Sequence, residues 1–166
     1  MNILLPVDGS ALSLQAVHHA IRLTRQGLNA SFVLANVQEH SSLYEVMVMH
    51  DAEALQRVRL TAGEHSLAEA DALLTEAGIE HQIEVALGDP AHTLIDIIER
   101  FQCDSVIMGA HGMGESSAVV GDVAQALLRG SPVPVMIVRP PPEPESLEEE
   151  SDAARAAASQ GADADE

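Results

Sequence analysis

Lysine is missing from this chain. All eight basic residues are arginines, set against 26 acids, for a net charge of −18. A P-loop kinase or NTPase relies on a lysine at its phosphates, so that class is disfavoured. A basic footprint is missing too, which argues against nucleic acid and against an anionic membrane surface as partners. Tryptophan is absent, Tyr44 is the one tyrosine, and aromatics make up 2% of the chain. Any core must therefore be aliphatic. The single cysteine, Cys103, excludes an internal disulfide and any CxxC pair, in keeping with a reducing, cytoplasmic setting. No apolar run reaches the roughly 18 residues of a membrane-spanning helix. No basic segment leads into Ile3-Leu4-Leu5, so no signal peptide is expected.

What is present is apolar enough to fold. The chain has 166 residues, 46% of them hydrophobic, which suits one domain with an appendage. The composition breaks at Pro140-Pro141-Pro142. Residues 141–166 hold nine acids and one base, Arg155, and one large aliphatic residue, Leu147. Such a segment buries too little apolar surface to offset its chain entropy. The expected organisation is a domain over residues 1–140 and an acidic, disordered tail over 141–166.

Residues 1–140 alternate between two periods. "NILLPV", "ASFVLANV", "DSVIMG" and "VPVMIVR" are short apolar runs, as strands covered on both faces would be. "EHQIEVAL" alternates like a strand near a sheet edge. Between them lie helical patterns. One follows Ser10 as N-cap, with Leu14, Val17, Ala20 and Ile21 on one face and Gly27 at its end. A long one runs from about Asp51 to Ala77. A third has Asp89 at the N-cap and Pro90 at its first position. The last is "VAQALL". The order β-α-β-α-β-α-β-α-β predicts a doubly wound α/β sandwich of three layers around a five-stranded parallel sheet. Ligands bind such sheets beyond the strand C-termini, where the strand order reverses. Pro6-Val7-Asp8, Val37 and Met108-Gly109 all end strands and are the segments expected to converge.

"MGAHGMGESSAVVGD" carries Gly109, Gly112, Gly114 and Gly121 ahead of the last helix. Glycines there admit an anion to backbone N–H donors. The plainer reading of Gly109 and Gly112 is a tight strand-to-helix turn with positive φ. Asp122, next to Gly121, is an anion where a phosphate binder prefers a hydroxyl. At about 4 Å from a phosphate it would cost about 1 to 4 kcal/mol, or about tenfold to several hundredfold in affinity. Its plainer role is the N-cap of the last helix.

Together, "ILLPVDGS", "GDPAHTLIDII" and "DSVIMGAHGMG…GDVAQALLRGSPVPVMIV" resemble the universal stress protein family over residues 1–140. The resemblance implies a Rossmann-like sheet of the HUP type, within the adenine nucleotide alpha hydrolase-like superfamily, and commonly a homodimer. The family's phosphate loop has the form G-x2-G-x9-G-[ST]. Gly109 and Gly112 match its first pair. Only eight residues separate Gly112 from Gly121, and Asp122 replaces the hydroxyl residue. Asp8 matches the family's acid at the end of the first strand, and Val37 its adenine-contacting backbone. The resemblance thus implies a nucleotide site built from Pro6, Val7, Asp8, Val37, Met108, Gly109, His111, Gly112, Gly121, Asp122 and Val123. Its ligand would be ATP or another adenine nucleotide, with Mg²⁺ if Asp122 turns from repellent into metal ligand.

Three functions are open at this level. One is a stress-response binding module whose degenerate loop holds ATP weakly or not at all. The second is a slow ATP-hydrolysing or adenylyl-transferring enzyme. The third is a nucleotide-free module for protein partners. The enzyme needs a base or a metal, and only Asp8, His111 and Asp122 are near the loop, so no catalytic residue is assigned. Asp8 also suits an Asx turn that starts the first helix. The eight histidines form no HExxH or HxH pair, and no metal site is assigned; His111 stands apart because it lies inside the glycine loop. Met47, Val48, Met49 and Met113 are candidates for a pocket lining but more often pack a core. Cys103 is expected to be an inert thiol. Homodimerisation is expected through the last strand, residues 133–138, by antiparallel pairing of its edge.

Overall fold

The computed structural model describes residues 1–39, 52–111 and 120–139. The acidic tail, Met47, Val48, Met49, Gly112, Met113 and Gly114 lie outside the described residues. Five strands appear: β1 (Asn2–Pro6), β2 (Ser31–Gln38), β3 (His81–Leu87), β4 (Ser105–Gly109) and β5 (Val135–Val138). Among the described residues four helices connect them: α1 (Ala11–Arg25), α2 (Ala52–Glu76), α3 (Pro90–Arg100) and α4 (Asp122–Gly130). All strand pairs are parallel, in the order β3-β2-β1-β4-β5. The expected alternation and sheet are therefore present, with "EHQIEVAL" at one edge and "VPVMIVR" at the other.

Side chains alternate across a strand, so each apolar run feeds two cores. Ile3 and Leu5 of β1, Phe32 and Leu34 of β2, and Ile107 of β4 meet Val17, Ala20 and Ile21 of α1 and Leu67, Ala70 and Leu74 of α2. Leu4, Val33, Ala35, Val106 and Met108 point the other way, against Leu94, Ile97 and Ile98 of α3 and Ala124 and Leu127 of α4. Among the described residues, Phe32 is the one aromatic side chain that is fully buried. The packing is aliphatic, as the composition requires.

Two helix starts follow their sequence signals. Ser10 caps α1, its Oγ accepting from Ser13 N at 3.1 Å. Asp89 caps α3, its Oδ1 accepting from His92 N at 2.9 Å, with Pro90 at the first turn. The third departs from expectation. Asp122 is not the N-cap of α4: Gly121 holds that position with no side-chain cap bond, and Asp122 is the first helical residue. Asp is favoured both at caps and in first turns, for the same electrostatic reason, so composition alone does not separate the two.

Candidate functional site

The strand order reverses between β1 and β4, and a cleft of about 580 Å³ opens there beyond the strand C-termini. That volume falls in the range of small-molecule sites, about 300 to 1,000 Å³. Its floor comes from Pro6 at the end of β1, Val7 and Asp8 just after it, Ala35, Asn36 and Val37 of β2, and Met108 and Gly109 of β4. Pro90 and Leu94 of α3 wall one side; His111, Gly121, Val123 and Ala124 wall the other. Pro6, Val7, Asp8, Val37, Met108, Gly109, His111, Gly121 and Val123 are thus brought together. Gly112 lies outside the described residues. Asp122 is exposed and does not line the cleft.

Asp8 makes the expected Asx turn: its Oδ1 accepts from Ser10 N at 2.9 Å. Gly9 follows at φ +84°, a conformation open to glycine. The turn aims the chain from β1 into α1 and leaves Asp8 on the cleft.

Gly109 has a steric reason that neither expectation included. It does not have positive φ. A Cβ there would sit 2.8 Å from Leu12 O and 3.3 Å from Ser13 N. The first turn of α1 packs onto the end of β4 so closely that only glycine fits. Leu12 lies about a hundred positions away, so no local pattern reveals this.

Asn36 was not foreseen as part of the site. It is buried in β2, donates from Nδ2 to Val7 O at 2.7 Å, and accepts at Oδ1 from Gln38 Nε2 at 2.7 Å. It extends the β1–β2 connection past the last ladder bond, Val7 N to Ala35 O at 2.8 Å. Ser13, Glu39, Pro90 and Leu94 also line the cleft without a sequence signal. Each is ordinary for its own element, and only the crossover connections bring them to one place.

His111 stands just after β4 and is 5% exposed. Neither ring nitrogen has a hydrogen-bond partner among the described residues. A buried polar group left unpaired costs about 1 to 3 kcal/mol, and such groups in native structures call for an explanation. Beside it, Gly121 N donates to Ala110 O at 2.8 Å and fixes the start of α4 against β4. The first amides of α4 carry no side-chain cap. Among the described residues, Asp8, Glu39 and His111 are the ionisable side chains that line the cleft.

Elsewhere the titratable groups have local explanations. Burial first, and then Asp104, push the Cys103 thiol above its usual range, which suits an unreactive thiol. His81 bridges Ile79 O and Asp71 Oδ1 at 2.9 and 2.7 Å. Partial burial first, then the Arg22 charge, lower His19. Among the described residues no three His, Cys, Asp or Glu side chains cluster as metal ligands. No described helix is long and apolar enough to cross a membrane.

A family model described as the universal stress protein family matches residues 1–139. A universal stress protein of Methanocaldococcus jannaschii is 26% identical over 140 residues, 84% of this chain and 82% of that one. Among solved structures, a universal stress protein from Lactobacillus plantarum superposes with a TM-score of 0.71 at 21% identity, covering 84% of this chain and 97% of its own. A family protein from Arabidopsis thaliana with AMP bound gives 0.60 at 15% identity, covering 87% and 94%. The fold of these structures is the fold described above, and the matched residues span both the strands and the cleft. The chain belongs to the universal stress protein family.

Proposed function

We propose that this chain is a stress-response binding module that takes an adenine nucleotide into the cleft, with weak affinity for ATP, and that it acts as a homodimer. The observation that carries the ligand is His111, a buried ring with two unpaired nitrogens facing a cleft beside an uncapped helix start. The remaining lining fits the rest of a nucleotide. Val37, Pro90, Leu94 and Met108 offer apolar faces to a purine, and Asp8 offers acceptors to ribose hydroxyls. Arabidopsis AMP binding in a protein of the same fold adds support.

Weak ATP affinity follows from charge. Asp8 and Glu39 line the cleft, Asp122 stands at the start of α4, and no arginine lines it. Three phosphates meet more repulsion than one. Mg²⁺ would offset part of this as a counter-charge carried in with the nucleotide. Calorimetric titration with adenosine, AMP, ADP and ATP, with and without Mg²⁺, tests the reading. Adenosine and AMP should bind, and ATP should gain little over AMP. No binding by any of them would favour a nucleotide-free interaction module. Mass spectrometry of ligand released from natively purified protein is the independent check.

The dimer is proposed through β5, an edge strand whose Met136 is 45% exposed. An apolar edge invites a second copy. Sedimentation of wild type and Met136→Lys tests it: the wild type should be a dimer at micromolar concentration and the variant a monomer.

A further inference from the structure

We propose that an apolar groove at the starts of β1, β4 and β5 receives the proline run Pro140-Pro141-Pro142 of a second copy. This rests on the β5 homodimer and adds a segment that each copy gives to the other.

The groove lies at the end of the sheet opposite the cleft and measures about 500 Å³. Met1, Leu23, Leu28, Ile107 and Met136 line it, and Asp104 and Ser105 are its polar members. α1 and α2 seal this face of the sheet over β1 and β2, but the strip toward β5 stays open. Met136 stands beside Ile107 in the ladder. Ile107 is 2% exposed and Met136 45%, while Met1 reaches 57%. Apolar surface of this kind gains by being taken out of water.

Chain direction selects the occupant. β5 ends at Val138, at the cleft end of the sheet, and the prolines follow Arg139 there. Their own groove is at the start of β5, about 10 Å back along the strand. A run of three prolines is held in extended form, about 3.1 Å per residue, and cannot double back at once. In a second copy paired antiparallel, the direction is reversed. When the two strands pair over their full length, Val135 of one copy faces Val138 of the other. Arg139 then arrives beside Pro134, which lines the groove, and the prolines come next.

Composition fits the same occupant. Pro140, Pro141, Pro142, Pro144 and Leu147 fall within the first eight positions after Arg139, and the remainder of the tail is mostly acid and alanine. Extended proline segments dock into apolar grooves. Arg139 is exposed and brings a positive charge to the groove that carries the exposed Asp104.

The test is a disulfide trap on the full chain, with Cys103→Ala removing the native thiol. One protein carries Ser105→Cys in the groove, on the same face of β4 as Ile107. The other carries Pro141→Cys in the tail. Mixed, left to exchange and oxidised with diamide, they should give a covalent heterodimer. A chain carrying both substitutions that instead closes its disulfide within itself would overturn the proposal. The second measurement is sedimentation of the full chain with Pro140→Ser, Pro141→Ser and Pro142→Ser, which changes no residue of a strand or helix. Its dimer dissociation constant should rise by about tenfold or more, the equivalent of about 1.4 kcal/mol. If the wild type is a dimer, absence of the trap, or an unchanged constant in the proline variant, would overturn the proposal and leave the dimer standing. A monomeric wild type would remove the dimer and the proposal together.

Discussion

α1 and α4 start at the same end of the sheet and start differently. α1 is sealed by its own chain: Ser10 Oγ takes an amide of the first turn. α3 is sealed likewise by Asp89, with Pro90 removing one donor altogether. α4 starts on Gly121, which makes no side-chain cap bond. A glycine cap in place of Ser or Asp gives up only about a few tenths of a kcal/mol. What α4 keeps is a first turn that no N-cap side chain bonds. In a parallel sheet every helix start is a candidate anion site, and capping chemistry decides which one remains available.

The largest expected effect concerns what holds α4 without a cap. Leu127 is fully buried against α3 and the sheet. Leu127→Ala should cost about 2 to 5 kcal/mol, read as a lower urea midpoint. A loss well below 1 kcal/mol would mean that the bond from Gly121 N to Ala110 O, rather than Leu127, holds α4.

Next is the join between the sealed helix and the open one. Gly109→Ala forces a Cβ onto Leu12 O and should cost about 1 to 3 kcal/mol. Because Gly109 lines the cleft, the same variant should also weaken AMP binding. Unchanged stability would show that the first turn of α1 gives way freely.

The caps themselves come third. Ser10→Ala should cost about 1 kcal/mol, equally at pH 4 and pH 7, because a hydroxyl does not titrate there. Asp89 differs. Backbone and side-chain hydrogen bonds from His92 hold its carboxyl below the usual range. Its folded value is depressed, so its contribution is complete above the ordinary carboxylate range and fades as pH falls through it. Asp89→Ala should therefore destabilise at pH 7 and less at pH 3, while Ser10→Ala shows no such trend.

The smallest effect belongs to Asp122. As the first residue of α4, it favours the helix electrostatically by about 0.3 to 1 kcal/mol, and it opposes an incoming phosphate through water. Asp122→Ser should lower stability by that much and tighten ADP binding by no more than about fivefold, the equivalent of 1 kcal/mol in a water-like dielectric. A hundredfold gain would place the carboxylate inside the cleft, against its exposed position.

Much of this was legible in the sequence because the signals were local. "NILLPV" and "DSVIMG" read as buried parallel strands because both faces of the sheet are covered. Ser10 and Asp89-Pro90 declared their helices because a cap and the amide it bonds lie three residues apart. The misreadings have a common physical origin. Asp122 was placed one position early because cap and first turn favour the same residue. Gly109 was credited with a turn because the atom that excludes its side chain comes from Leu12. Asn36 carries no local signal because its partner, Val7, follows the neighbouring strand. His111 was noticed for its place among glycines, but its burial and its unpaired nitrogens depend on the folded chain.

Asn36 has a consequence for how the cleft responds to a ligand. Its amide holds Val7 O and is itself held by Gln38, so the floor is cross-linked beyond the end of β1. A floor fixed in advance has little motion to lose when a ligand arrives. The entropy of binding then comes mainly from the ligand and the displaced water, and the exchange of the Val7 amide with deuterium should be slow and nearly the same with the cleft empty or filled.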